Sequence, residues 1–433
     1  MKKTAALLLA VLMIVNMTGC NREEAVPTTQ PTVPPTESVE TVELTVPEDE
    51  RPYVGVELEF LSLLDREDPR AAVVEQAAEV FKIRTGAEIH TYFLGGDENV
   101  LAANFGGGVK VDIFAASLDA LETVLAPYTL DLTEMAGMAD YDAHSHEVLR
   151  AQVISCCGYL AAIPQTPVLY GMFYNADAVA DAGLTELPQS WEEFLEFSRM
   201  LTERGYMPMS MDQENANIAL ELHLERHLGY EKFQTMMVQA EWTQDVAYID
   251  LFRLAIDYAS AGFLAKGDPA VYPAGQEKLA LSNVVMVPGS SQLCSQVERS
   301  TLMDLNWGVF PYPGDGAGRG YGVESQALAV HKACENPQAA FDFIMLMTTG
   351  DFDQLYADAA EGIPADPGNE CSIAGAMELL AQADGRGFGL LRSQDNELFS
   401  RLWNGWYKTP GYFASAMNGI AGSYIPPATE GVG

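Results

Sequence analysis

Val56-Glu57-Leu58-Glu59-Phe60-Leu61-Ser62-Leu63-Leu64-Asp65-Arg66-Glu67-Asp68-Pro69 contains a change of period. From Val56 to Leu64 the apolar residues crowd as in a strand. Asp68-Pro69 then supplies a side-chain cap and a proline suited to the first helical position. Beyond it Val73, Val74, Ala77, Ala78 and Phe81 form one helical face, and Gly86 stops the helix. Ala87 to Leu94 reads as the next strand, Gly95-Gly96 breaks it, a helix follows through Asn104, and Val111-Asp112-Ile113-Phe114 begins a third strand. Strand and helix alternate in a βαβαβ start, so the expected class is α/β rather than a bundle or a sandwich.

Downstream, Ser190-Trp191-Glu192-Glu193 reads as a capping box, with Phe194, Phe197 and Leu201 on one side of the helix and Gly205 at its end. Gln338 to Met347, entered after Asn336-Pro337, is strongly helical. A chain of 433 residues exceeds what one core usually organises, so two domains, or one interrupted by the other, are expected. Sixty-one acidic residues against 24 basic ones give a net charge of -37, which repels phosphate backbones and makes nucleic acid an improbable partner.

The N-terminus reads as an address. Lys2 and Lys3 precede an apolar run, Ala5 to Val15, that is too short to span the bilayer. It closes on Met17-Thr18-Gly19-Cys20, which resembles a bacterial lipobox, with Met17 where the motif prefers Leu. Residues 1–20 are therefore expected to be a lipoprotein signal peptide with Cys20 lipidated, and 21–52, rich in Pro, Thr and Glu, a disordered tether. Such a protein is held at the extracytoplasmic face of the cell membrane. The other cysteines, Cys156, Cys157, Cys294, Cys334 and Cys371, are odd in number and imply no disulfide framework; adjacent Cys156 and Cys157 read as buried thiols.

Several segments, in order, resemble the extracellular solute-binding proteins of bacterial ABC importers, in the maltose-binding-like group that mostly takes sugars. They are Gly158-Tyr159-Leu160-Ala161-Ala162-Ile163-Pro164, Met172-Phe173-Tyr174-Asn175-Ala176-Asp177, Ala182-Gly183-Leu184, and Leu187-Pro188-Gln189-Ser190-Trp191-Glu192-Glu193-Phe194. Asn306 to Gly314, Ala339 to Ile344 and Gly362-Ile363-Pro364 continue the likeness. The resemblance implies a two-lobe periplasmic-binding-protein-like fold with a ligand cleft between the lobes. It places lobe 1 at 53–166 plus 322–365 and lobe 2 at 167–321 plus 366–433. It also implies a monomer that closes on a small solute, a carbohydrate by the group's habit, and delivers it to the transmembrane subunits of an ABC permease. No cofactor and no metal are expected.

In open α/β sheets ligands lie beyond the carboxyl ends of the strands. That singles out Asp65 and Arg66 after the first strand, Ser117 and Asp119 after the third, and Gln165 and Thr166 after the proline-ended strand. In the second lobe it singles out Asp212 and Glu214, then Ser290 and Ser291. The family commonly has a Gly-x-Trp after a hydrophobic strand, its indole stacking on a sugar face; here Ser291 takes the aromatic position, and Tyr321, Trp403 and Trp406 are the expected substitutes.

Enzyme readings are weaker. His223 and His227 stand at i and i+4 but lack both the H-E-x-x-H and the H-x-x-E-H order, and are expected to be surface histidines, as are His144 and His146. Gly316 to Gly322 misses the dinucleotide fingerprint and reads as a loop at the second crossing. An extracytoplasmic lipoprotein glycoside hydrolase is the alternative, although paired carboxylates are expected by chance among so many acids. An adhesion or scaffold lipoprotein is the third class.

Overall fold

The computed structural model describes residues 47, 50–96, 98–239 and 246–384. Cys20, nearly all of the tether, Trp403 and Trp406 lie outside the described residues. The opening segment folds as its period demands. Glu57–Ser62 is β1, and Asp68 then accepts from the Arg70 amide at 2.9 Å to cap the helix Pro69–Thr85. That helix ends at Gly86, whose φ of 82° and whose approach to Val54 (an added Cβ would lie 2.9 Å from Cγ2) both require glycine. Glu88–Phe93 (β2) and Ile113–Ser117 (β3) run parallel to β1, with the helix Asn99–Gly106 between them. β3 starts later than the sequence suggests. Asp112 is spent on bracing, its Oδ2 accepting from the Glu59 amide at 2.9 Å.

The remaining strands are Ile163–Asn175 (β4), Met207–Met209 (β5), Val284–Ser290 (β6), Trp307–Phe310 (β7) and Gly322–Val330 (β8). The sheet order is β2-β1-β3-β8-β4-β6-β5, with β7 also on β4. β4 is shared by the two halves. Its first part, Ile163 to Tyr170, lies antiparallel to β8, and its last part, Tyr170 to Asn175, pairs with β6 and β7. β4 and β8 are thus the strands on which one half passes into the other. Along that stretch Pro164 and Pro167 contribute no amide hydrogen, and the register shifts between Pro164 and Thr166, the kind of bulge at which a sheet interior accepts proline.

Three buried clusters hold the fold. One packs Phe60, Phe114 and Phe81 of the first half against Phe341, Phe343 and Ile344 of the helix Pro337–Thr348. A second gathers Phe194, Phe197 and Leu201 of the helix Trp191–Glu203 with Met286, Tyr258 and Tyr312. The third, around Leu169, Phe173, Val287, Val309 and Val323, fills the other face of the shared strands. Each buried Phe or Leu contributes about 1.5–3 kcal/mol. The capping box is present: Ser190 Oγ accepts from the Glu193 amide at 3.2 Å and Glu193 accepts from the Ser190 amide at 3.0 Å.

The expectation that the histidines lie at the surface is overturned for two of them. His223 is 0% exposed because the helix Gln213–Leu228 is enclosed on nearly all sides and tertiary packing overrides its local polarity, and His146, which caps the helix Glu147–Cys157, is buried as well. The His223 ring lies against Trp191, Tyr312 and His227. His144 remains half-exposed, 3.0 Å from Asp366. The glycine-rich stretch is a loop, and its composition has a packing reason. It crosses the end of the same helix so closely that a Cβ on Gly318 would overlap the Glu225 carbonyl. Glu225 accepts there from the Arg319 and Gly320 amides at 3.0 and 2.8 Å, and Arg226 donates to the Gly314 and Gly318 carbonyls. The five described cysteines are free thiols, with Cys294 buried and Cys156 and Cys157 half-buried.

Candidate binding cleft

The carboxyl ends of β1 and β3 on one side, and of β5 and β6 on the other, face the β4–β8 crossing. In the first half Asp65 is exposed and abuts Gly95, where an added Cβ would lie 2.7 Å from its Oδ1. Arg66 turns away, donating to Glu75 at 2.9 Å with its guanidinium 5.6 Å from the Phe93 ring. The two neighbours therefore do not form a clamp. The Ser117 hydroxyl is fully used, donating to Glu98 at 2.8 Å and accepting from the Ala120 amide at 3.1 Å, while Asp119 beside it is exposed.

The floor is set by strand alternation. Thr166 pairs with Gln326 and Val168 with Glu324, so Thr166, Tyr170, Glu324 and Gln326 share one face of the ribbon. Tyr170 donates its hydroxyl to Glu324 at 2.7 Å, and Thr166 lies beside the Tyr356 hydroxyl. Gln165, in the bulge, is buried, and its Nε2 has no hydrogen-bond partner. Arg70 forks onto Asp68 with two bonds of 2.9 Å and lies over the Tyr356 ring. Burial would raise the Asp68 pKa, but the Arg70 fork outweighs it and holds the carboxyl below the usual range.

On the second side Asp212 is fully buried as the cap of the helix Gln213–Leu228, accepting from the amides of Glu214 and Asn215 at 3.2 and 3.1 Å. Burial pushes its pKa up, against the pull of those amides. Glu214, one turn further, is exposed. Ser290 ends β6 opposite Tyr170. Ser291 is buried and turned into the fold, its Oγ accepting from the Leu169 amide at 3.2 Å while its own amide donates to the Leu169 carbonyl. Tyr321 packs in the third cluster under the Arg319 guanidinium. Arg299, on the helix Gln292–Thr301 that follows β6, reaches Asp68 across the crossing at 3.8 Å.

Of the expected residues, Asp65, Asp119 and Glu214 are exposed and Thr166 is half-exposed, each at or just beyond a strand end or on the crossing ribbon. Ser117, Asp212 and Ser291 serve as caps or backbone braces. Arg70, Glu324, Gln326 and Arg299 also lie at the crossing and were not singled out from sequence. Only Glu324 and Gln326 carried a signal, two polar side chains at period two inside an apolar strand. Among the described residues no group of three or more His, Cys, Asp or Glu is arranged to hold a metal ion.

Two halves that share one strand ribbon, with the carboxyl ends of β1 and β3 on one side of it and those of β5 and β6 on the other, are the architecture of an extracellular solute-binding protein. The chain belongs to the bacterial extracellular solute-binding protein family, whose profile matches residues 67–350. No curated protein matches it in sequence. Among solved structures it is similar to apo RafE of Streptococcus pneumoniae, with a TM-score of 0.69 and 18% identity over 85% of this chain and 97% of that one. It is also similar to an open form of the binding protein MsmE of Bacillus subtilis (TM-score 0.65, 15% identity, 85% and 96% covered). The GacH receptor of Streptomyces glaucescens, solved with acarbose, matches at a TM-score of 0.58 and 17% identity over 85% and 97%. The family and these relatives are binding proteins rather than enzymes.

Proposed function

We propose that this chain is the substrate-binding subunit of an ABC importer, capturing an extracellular carbohydrate without covalent chemistry and passing it to the transmembrane subunits of a permease. The family match carries the reading, and the strand ends support it: in this reading Asp65, Asp119, Thr166, Glu214, Glu324 and Gln326, which are exposed or half-exposed beside the β4–β8 crossing, offer the carboxylates, amide and hydroxyl that sugar hydroxyls match. The ligands of similar structures, raffinose, stachyose and acarbose, support a sugar. In this reading the lobes comprise 53–166 with 322–365 and 167–321 with 366–433, and the protein acts as a monomer.

A sugar bound only by the native protein stabilises it by about 1.4 kcal/mol at tenfold excess over Kd. A thermal-shift screen of the full chain against oligosaccharides, with scattering to follow compaction, reads this directly. Stabilisation and compaction by no solute at all, alongside glycan hydrolysis, would replace the importer by an enzyme.

The same proposal anchors the protein through a lipid on Cys20, since the lipobox-like tetrapeptide leads straight into the Pro/Thr/Glu tether. Cys20→Ala is expected to move the protein from the membrane to the soluble fraction of a bacterial host. Unchanged fractionation and precursor processing would remove the anchor from the proposal.

A further inference from the structure

Tyr92 at 51% and Tyr272 at 39% are tyrosines that stand exposed at the surface. Tyr92 lies on the edge strand β2 opposite Leu61, its hydroxyl bonded to the Glu59 side chain of the neighbouring strand. Tyr272 is placed differently. Its loop is strapped to the end of β5: the Ala270 amide donates to the Met211 carbonyl at 3.1 Å, the Gln213 amide to the Ala270 carbonyl at 3.0 Å, and Ser210 to the Gly275 carbonyl at 2.6 Å. Asp268 adds a bond from the Met211 amide at 3.1 Å and an ion pair with Lys278.

The Tyr272 hydroxyl lies beside the Gln276 side chain, within electrostatic reach of Glu214, Asp212 and Arg299. Arg299 in turn touches Asp68 of the first half. A ring on a braced loop thus stands beside the start of the helix Gln213–Leu228, with the exposed Glu214 and Arg299 as the charged groups within its reach. A flat apolar face with polar groups at its rim complements a molecule with an apolar ring face and hydroxyls around its edge. Ser291, facing the backbone of β4, and Tyr321, inside the third cluster, cannot supply such a face.

We propose that Tyr272 is the aromatic platform of the cleft, packing against the ring face of a pyranose unit while Glu214 and Arg299 meet its peripheral hydroxyls. This rests on the solute-binding reading and specifies the class of solute and the residue that selects it. Holding a ring on a preformed loop adds affinity because little freedom is lost on binding.

The test is calorimetric titration of the full-length chain with raffinose, stachyose and galactose, repeated with Tyr272→Ala, Tyr272→Phe and, as a control for losing an exposed tyrosine, Tyr92→Ala. Tyr272→Ala is expected to weaken binding of the sugar taken by the native chain by roughly 10- to 100-fold. Tyr272→Phe, which keeps the ring, is expected to stay within about threefold, and Tyr92→Ala to bind as the native chain does. Melting of the sugar-free protein separates this from a structural role, since a merely structural Tyr272 would lower it in the alanine variant. If the native chain binds a sugar and Tyr272→Ala binds it equally well, the platform assignment falls and the import reading stands. If the native chain binds none of the three sugars but takes a solute with no ring face, both the platform and the carbohydrate reading fall.

Discussion

Glu225→Ala lowers the free energy of unfolding by about 2–4 kcal/mol, because it strands two buried amides at about 1–3 kcal/mol each. The Glu225 carboxylate is 5% exposed and accepts from the amides of Arg319 and Gly320, in a loop so tightly laid on the helix that Gly318 has no room for a Cβ. Water cannot take over without prising the loop off. Arg226 holds the neighbouring carbonyls, so the loop stays tethered at one end, and Glu225→Gln, which keeps one acceptor, is expected to lose about half as much. Denaturant midpoints at neutral pH measure the effect. A change under about 0.5 kcal/mol for the alanine variant would mean that the two amides find other partners.

The second large effect is mild-acid sensitivity arising at His223. Burial first, and the facing His227 second, hold its pKa well below the ordinary value, while its Nε2 stays bonded to the Leu251 carbonyl at 2.9 Å. The unfolded chain takes up a proton near pH 6.5 and the folded chain does not, so the unfolded state binds more protons and stability falls as pH drops below that point. A histidine kept neutral in the fold costs about 1.4 kcal/mol once the pH is one unit below the unfolded value, and the cost grows further for as long as the folded chain stays unprotonated. Asp353 works in the other direction. Burial pushes its carboxyl up to about 7, so it favours the fold as pH falls from there toward 4. The quantity to measure is therefore the difference in unfolding free energy between the native chain and His223→Gln, in which the Asp353 contribution cancels. That difference is expected to change steadily in favour of the glutamine variant below pH 6.5; a difference independent of pH would place the proton elsewhere.

These two residues also mark where sequence reading stops. Local rules were enough for the Asp68 cap, the Gly86 stop and the Ser190–Glu193 box, since each depends on residues within a few positions of one another. The ordered segments that follow the crossing strand carried the two-lobe class. His223 and Glu225 look like solvent-facing residues of a mixed helix, and it is distant partners that enclose them: Trp191, Leu251 and Tyr312 around His223, and the loop after Tyr312 over Glu225. The cleft was legible by region and less so by residue. Strand ends pointed to Asp65, Asp119 and Glu214, yet the direction in which Ser291 turns depends on a backbone amide of Leu169, more than a hundred positions away. Tyr272 lies in a loop with no period at all.

The strand shared by the two halves has a mechanical meaning. At the crossing, Pro164 and Pro167 bring no amide hydrogen and the register shifts at Gln165, so the longest pairing of the sheet is also an interrupted one. Torsional stiffness falls where rungs are missing. The first two clusters lie to either side of the ribbon, whereas the third packs on the shared strands themselves. A twist of one half against the other would therefore be borne by that third cluster, which makes its side chains the place where substitutions would stiffen or loosen the joint.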